Sequence, residues 1–250
     1  MKGFFTPEGV WREETVFSPE ETDRWGRVRP EAVLYRFQEI AGDHYTSLGM
    51  GRDAAVARGC FWAVTRNELQ LARLPAAGER LWLDTWAGRR GHGLFWRHYR
   101  LSDPMGQVMI RGVSTWVVMD LESRTLSRDY VWAQAAPPVK QEGELPSTFR
   151  APVFPEELPD RARRTVTEAE TDINGHLNNA LYFPWGADLL PAGYAKDHDL
   201  RSVWIEYRKE LPKGHEAELC FSFSDGILFL KGFESDKECF SMRVEYDDTI

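Results

Sequence analysis

Asp172, Asn174 and His176 stand two residues apart in the run Asp172-Ile173-Asn174-Gly175-His176-Leu177-Asn178-Asn179. Imidazole titrates near neutrality and can move protons, an amide donates or accepts without charging, and a carboxylate orients its neighbours. If the backbone is extended here, the three side chains turn to one face. An apolar helical stretch follows at once, and the N–H groups that open a helix carry partial positive charge suited to a carbonyl oxygen becoming an oxyanion. The same residue types also make an ordinary capped turn. A second run, Val203-Trp204-Ile205-Glu206-Tyr207-Arg208-Lys209-Glu210-Leu211, alternates as a strand does, with Trp204, Glu206, Arg208 and Glu210 on one side. Glu210 therefore reads either as the end of a surface Glu-Arg-Glu ladder or as a carboxylate available for proton transfer.

Elements that could position these groups occur twice. Thr22-Asp23-Arg24-Trp25-Gly26-Arg27-Val28-Arg29-Pro30 lies over Thr171 to Asn179, with Thr, Asp and Gly identical and an apolar helical stretch after each. In the first copy Trp25, Arg27 and Arg29 replace Asn174, His176 and Asn178, so the turn does not require those residues and only the second copy is equipped for chemistry. Ala72-Arg73-Leu74-Pro75 matches Lys209-Glu210-Leu211-Pro212, which sets Arg73 opposite Glu210. Leu94-Phe95-Trp96 resembles Ile227-Leu228-Phe229, and turns at Ser102-Asp103-Pro104 and Ser235-Asp236-Lys237 lead into a last strand. In the first copy Pro30 suits an opening helical turn, Val33, Leu34, Phe37, Ile40 and Ala41 share a face, and Gly42 is a plausible stop. In the second, Asn178 can cap a helix that is apolar nearly all round from Ala180 to Leu190, and Pro184 should kink or shorten it. Alternation marks strands at Ala217–Phe223 and Phe240–Tyr246, dry on one face and wet on the other. The short gaps between strands exclude a parallel α/β sheet. One buried helix followed by antiparallel strands, repeated once, predicts an α+β tandem hot-dog fold: residues 1–132 as the N-terminal unit, a Pro- and Ala-rich linker at 133–160, and residues 161–250 as the C-terminal unit with the chemistry.

The 250 residues are 42% hydrophobic and 13% aromatic, enough for a sizeable core, and no run approaches the length of a membrane span. The chain reads as soluble and cytoplasmic. Its net charge of −8, concentrated after residue 160, argues against nucleic-acid binding. Cys60, Cys220 and Cys239 are widely spaced and form neither a zinc pattern nor a disulfide framework, so they read as reduced core fillers. No metal-ligand spacing, phosphate loop or nucleotide fingerprint appears, and no cofactor is expected.

The run Asp172-x-Asn174-x-His176-Leu177-Asn178-Asn179-x-x-Tyr182-x-x-Trp185, followed by Glu206-Tyr207-Arg208-Lys209-Glu210, resembles the signature of the acyl-acyl carrier protein thioesterases of plant plastids and bacteria. Ala41-Gly42-Asp43-His44 with Leu48-Gly49, and Thr115-Trp116-Val117-Val118-Met119-Asp120-Leu121, are similar to that family too. The resemblance runs from about residue 10 to 246. It implies a hot-dog fold in each unit, hydrolysis of a fatty acyl thioester on acyl carrier protein, and catalytic roles for Asp172, Asn174, His176 and Glu210. Plant members often carry a cysteine after that glutamate; here the residue is Leu211, so direct attack by water is expected rather than an acyl-cysteine route. With no plastid transit segment, a bacterial member is expected, monomeric or homodimeric. On this view Glu210, helped by Asn174, deprotonates a water, His176, oriented by Asp172, moves a proton to the thiolate, and N–H groups near Asn178 and Asn179 hold the oxyanion; His176 and Glu210 could exchange roles. The N-terminal unit, carrying Trp62, Trp82, Trp86, Phe95, Trp96 and Trp116, is the expected host of the acyl tail. An acidic carrier would need a basic patch, either Arg89, Arg90, Arg97 and Arg100 or Arg161, Arg163 and Arg164. An acyl-CoA thioesterase, a hot-dog dehydratase and a non-catalytic acyl-binding module are the competing expectations.

Overall fold

The computed structural model describes residues 3–139 and 151–247. Residues 140–150 of the expected linker lie outside the described residues. Two compact units separate: one runs to Thr65 and resumes at Leu74, and the other combines Arg66–Arg73 with the chain from residue 151 onward. The transfer of Arg66–Arg73 to the second unit is not visible in the order of the chain.

The first unit contains β1 (Gly3–Phe5), β2 (Trp11–Thr15), α1 (Pro30–Ser47), the short α2 (Arg52–Val56), β3 (Cys60–Leu71), whose first half belongs here, β4 (Leu81–Gly91), β5 (Leu94–Ser102) and β6 (Val108–Asp120). Its strands are ordered β1-β2-β4-β5-β6, with β3 next to β6. Antiparallel pairing joins β2 to β4, β4 to β5 and β5 to β6. Val33, Leu34, Phe37, Ile40 and Ala41 of α1 are buried as the spacing predicts, and Phe37 stacks on Tyr99 with ring centroids 4.3 Å apart. Gly42 does not stop the helix. Burial of His44 and Tyr45 on the same face carries α1 past it, outweighing the roughly 1 kcal/mol cost of an interior glycine; the chain leaves the helix at Gly49, whose φ of +69° is left-handed.

The sheet of this unit has two dissimilar faces. Residues opposed across β4 and β5 put Leu83, Thr85 and Ala87 with Leu101, Tyr99 and Arg97 on one side, and Trp82, Asp84 and Trp86 with Ser102, Arg100 and His98 on the other. Trp82, Trp86 and Trp96 are thus on the face away from α1. Trp62 instead meets Tyr45, Phe95 and Trp132, with centroids 5.1 to 5.7 Å apart. Asp84 is fully buried, and its carboxylate accepts from Arg12 at 2.6 Å and from Arg100 at 2.6 Å. That carboxylate raises the pKa of Arg12 through its hydrogen bond.

The second unit adds to the Arg66–Arg73 segment β7 (Asp160–Thr165), α3 (Tyr182–Ala187), α4 (Tyr194–Asp197), β8 (Leu200–Tyr207), β9 (Glu216–Ser224), β10 (Ile227–Glu234) and β11 (Lys237–Tyr246). Arg66–Gln70 of β3 pairs with Glu206–Ser202 of β8, and the order continues β8-β11-β10-β9-β7, antiparallel throughout. Its central helix is short. A single 3-10 turn at Asn179–Leu181 precedes α3 because Pro184, in the first turn of α3, has no N–H to return to residue 180. Trp185, Tyr182 and Phe183 fill the core with Phe240, Leu228, Leu230 and Met242. Contact is close: a Cβ on Gly186 would stand 2.8 Å from Met242 Sδ. The alternation expected over Phe240–Tyr246 fails at Ser241, which is buried along with Phe240 and Met242; Cys239, just before that run, is buried too. Cys60 is buried as well, whereas Cys220 is only half-buried.

Each unit is an antiparallel sheet curved against one helix, the hot-dog arrangement predicted from the repeat. Among the described residues no helix is long and apolar enough to cross a membrane. Removing one partner of a buried ion pair strands the others, so Asp84→Ala is expected to cost about 3–5 kcal/mol, read as a lowered urea midpoint at unchanged slope.

Candidate active site

The segment from Asp172 to Leu177 is a tight turn wound on its own carboxylate, not the extended run the alternation suggested. Asp172 Oδ1 accepts from the backbone N–H of Asn174 at 2.8 Å and of His176 at 3.2 Å, and Oδ2 accepts from Asn174 Nδ2 at 3.1 Å. Asp172 N–H donates to His176 O at 2.8 Å and Gly175 N–H to Asp172 O at 3.0 Å. Gly175 has a φ of +76°, which an L side chain would resist, so the sequence supplies glycine where the chain must reverse. Asp172 therefore acts on His176 through the backbone; the expected orientation of the imidazole by Asp172 is replaced by a different neighbour.

That neighbour is Glu210. His176 Nδ1 lies 3.6 Å from Glu210 Oε2, with the imidazole 22% and the carboxylate 50% exposed. Two backbone bonds hold their segments together: Leu177 N–H donates to Leu211 O at 2.8 Å, and Lys213 N–H to Gly175 O at 3.0 Å. Glu210 is not part of a Glu-Arg-Glu ladder. The strand ends at Tyr207, the N–H groups of Arg208 and Lys209 both donate to Cys239 O, and this bend takes Glu210 off the alternation while Arg208 stays ion-paired with Glu206 and Glu238.

Asn178 caps the 3-10 turn as expected, its Oδ1 accepting from Ala180 N–H at 2.9 Å. Its own N–H is committed to Glu170 O at 2.9 Å, so it is not the oxyanion donor anticipated from the sequence; Asn179 N–H, the first of the turn, has no intrahelical acceptor. Sequence reasoning gave Tyr207 no role, although it lies inside the quoted motif. Its hydroxyl donates to Asn179 O at 2.7 Å and accepts from Asn67 Nδ2 at 3.1 Å, tying the helix start to β8 and β3. Asn67 carries no local signal at all. Burial above all, then the charges of neighbours including Glu210 and Asp172, pushes the Tyr182 hydroxyl far up, so it stays a neutral donor beside the site.

The first unit repeats the turn bond for bond. Asp23 Oδ1 accepts from Trp25 N–H at 2.9 Å and Arg27 N–H at 3.0 Å, Gly26 has a φ of +80°, and Val28 N–H donates to Pro75 O at 2.8 Å. The isolated bridges Arg27 with Ala76 and His176 with Pro212 fix the register. By these bonds the counterpart of Glu210 is Leu74, one residue on from the Arg73 that the letters matched. Either way the carboxylate belongs to the second unit alone.

The arginines of the anticipated basic patches are largely engaged: Arg89 lies 4.6 Å over the Trp96 ring and Arg90 donates to Ala136 O at 3.2 Å. Arg97 is 2% exposed and Arg100 is tied to Asp84, while Arg161, Arg163 and Arg164 pair with Glu218, Glu216 and Asp188. An open depression of about 610 Å³ lies among Arg161, Arg163, Glu216 and Glu218, with no residue of the Asp172 turn in its wall. Among the described residues no cluster of His, Cys, Asp or Glu has the makings of a metal site.

Comparison with known proteins matches residues 9–130 to the model of the acyl-ACP thioesterase N-terminal domain and residues 157–248 to that of the C-terminal domain. A chloroplastic acyl-[acyl-carrier-protein] hydrolase of Cuphea viscosissima is 27% identical over 197 residues, 72% of this chain and 47% of its own length. Oleoyl-acyl carrier protein thioesterase 1 of Arabidopsis thaliana, also chloroplastic, is 25% identical over 83% of this chain and 62% of its own. The chain thus spans about half the length of the Cuphea relative. Among solved structures, an acyl-ACP thioesterase of Bacteroides thetaiotaomicron superposes with a TM-score of 0.84 at 18% identity, covering 95% of this chain and 98% of that one. The 12:0-ACP thioesterase of Umbellularia californica gives 0.80 at 22% identity, covering 95% and 96%.

The paired turns make a matched experiment. Asp172→Ala and Asp23→Ala each remove the acceptor of two backbone N–H groups, so each is expected to cost about 1 kcal/mol, as loss of a helix cap does, and to speed hydrogen exchange at the His176 or the Arg27 amide respectively.

Proposed function

The chain belongs to the acyl-ACP thioesterase family, and on that premise we propose that it hydrolyses the thioester joining a fatty acyl chain to acyl carrier protein, releasing the free acid and the carrier thiol. The observation that carries the proposal is the meeting of His176 and Glu210 at 3.6 Å on the one turn of the repeat that bears chemistry. That separation lets one water molecule hydrogen-bond both groups at about 2.8 Å each.

In the proposed reaction Glu210 takes a proton from this water, and the hydroxide oxygen forms a bond to the thioester carbon. Asn174, whose amide Asp172 holds through Oδ2, steadies the water. The developing oxyanion is received by the N–H of Asn179, whose carbonyl Tyr207 anchors. Collapse of the tetrahedral intermediate breaks the carbon–sulfur bond, and the proton taken up by Glu210 passes through His176 to the departing thiolate, which restores both side chains. No covalent acyl-enzyme is needed: Leu211 stands after Glu210 and is fully buried, its carbonyl engaged by Leu177. The first unit is the proposed host of the acyl tail, with Tyr45, Trp62, Phe95 and Trp132 as an aromatic wall. Each methylene taken from water contributes about 0.8 kcal/mol, which suits a long saturated stretch. The cytoplasm is the proposed compartment, and acyl carrier protein the partner in preference to coenzyme A.

Thiol release from one acyl group presented on acyl carrier protein and on coenzyme A tests both parts. The carrier-protein substrate is expected to turn over faster, and His176→Ala and Glu210→Ala each to lower kcat/KM by about 10² to 10⁴. Variants that fold normally and stay within roughly threefold of the parent would refute the assignment, since a positioned proton carrier contributes far more than that.

A further inference from the structure

Arg97 has no task in the chemistry above, yet it is among the most buried residues of the first unit. It sits on β5, on the face turned toward α1, and is 2% exposed. Nη1 faces His44 Nδ1 at 2.8 Å and Thr85 Oγ1 at 3.1 Å, and the guanidinium carbon lies 4.1 Å over the ring of Tyr45. His44 accepts that bond as a neutral imidazole; burial, and then the charge of Arg97, lowers its pKa to about 3. Nη2 is buried without any hydrogen-bond partner. Among the described residues no carboxylate comes within ion-pairing distance of this guanidinium, in contrast to Arg12 and Arg100, which share Asp84 nearby. An arginine is a cation at any physiological pH, and burying one without an anionic partner is strongly unfavourable.

The fold does not demand a cation at this position. Gly91 pairs with Leu94 where β4 turns into β5, and Ser224 pairs with Ile227 where β9 turns into β10. Counting inward-facing residues from these turns sets Phe95, Arg97 and Tyr99 against Leu228, Leu230 and Gly232. Leu230 is fully buried in an apolar core. A site that one unit fills with leucine carries in the other a charged fork with two spare N–H donors.

Those donors lie among aromatic neighbours. Tyr45, under the guanidinium, packs with Met50, Ala87 and Ala136, and against Trp62 and Trp132; Phe95 stands edge-on to Trp62 at 5.1 Å. The complementary occupant therefore combines an apolar body with an oxygen acceptor remote from its head. We propose that Arg97 selects acyl chains whose tail carries an oxygen function, a hydroxyl, keto or carboxyl group, which accepts from Nη2. This assignment of substrate class rests on the first unit hosting the tail.

Binding tests it apart from turnover. The probe is the amide analogue of hexadecanoyl-pantetheine, in which nitrogen replaces the thioester sulfur, together with analogues hydroxylated at the chain end and at a series of mid-chain positions. Calorimetric titration of the full chain is expected to show at least one hydroxylated analogue binding about tenfold or more tightly than the plain one. Arg97→Leu, which installs the residue of the second unit, should abolish that preference, and Arg97→Lys should restore only part of it, because a point charge lacks the planar fork. Equal affinity for every analogue in the parent, or a preference that survives Arg97→Leu, overturns the proposal. The two readings fail separately. Arg97-dependent binding with no thiol release from any acyl carrier protein thioester sinks the thioesterase reading alone, whereas thiol release at equal rates from plain and hydroxylated chains sinks the role of Arg97 alone.

Discussion

The hydrogen bond from Leu177 N–H to Leu211 O, seconded by Lys213 N–H to Gly175 O, is the constraint on which the rest of the site depends. Two backbone hydrogen bonds bring together segments far apart in the chain, and so place the backbones that carry His176 and Glu210 side by side before any side-chain interaction is formed. Ion pairing between a half-exposed carboxylate and an imidazole is weak in water and could not organise the loops. The backbone does that, and the side chains inherit the geometry. The first unit shows the separation of the two roles. Its bond from Val28 to Pro75 and its Asp23-centred turn reproduce the scaffold with Arg27 and Leu74 at the positions of His176 and Glu210. Scaffold and chemistry are independent properties of the same turn.

That independence explains what was legible in the sequence. Thr, Asp and Gly recur in both turns because the backbone needs a side-chain acceptor at one place and a left-handed residue at another, and these demands admit few residue types. The repeat, the hot-dog plan, the Asn178 cap and the shortening at Pro184 could be read for that reason. Conformation inside the turn could not. Alternating polar residues look the same whether the chain is extended or curled on its first carboxylate, and only the Gly175 signal hinted at the latter. The register of Glu210 slipped by one because the Leu-Pro pairs at Leu74-Pro75 and Leu211-Pro212 match by letter, whereas hydrogen bonds set Pro75 against Leu211. Its departure from the strand depends on Cys239 O receiving two N–H groups, a contact from the paired strand β11, more than twenty-five residues on, that no local pattern encodes. The edge strand β1 and its neighbour β2 depend in the same way on pairing rather than on their own composition.

Net charge does not say which charges are buried. Most of the net negative charge lies after residue 160. Yet among the described residues the buried carboxylates, imidazoles and guanidinium, Glu13, His44, Asp84, Arg97 and His98, all belong to the first, and the core of the second is built around Trp185 and Phe240. Surface charges are solvated and contribute little; it is the few removed from water whose pairing decides stability and recognition. A sum over the sequence weights both kinds equally, and alternation alone gave no reason to separate Arg97 from the half-buried Arg100 on the same strand.

The division of β3 between the units has a consequence for how this protein can be dissected. Asn67, which supports the Tyr207 hydroxyl, and the strand that borders β8 are encoded before the segment at 133–160, although they belong with the residues after it. A C-terminal fragment produced by cutting there would expose the unpaired edge of β8 and leave the anchor of Asn179 half-supported. Exchange of halves between relatives would then transplant a turn without its brace, and a chimaera meant to swap specificity alone would need its first junction ahead of Arg66.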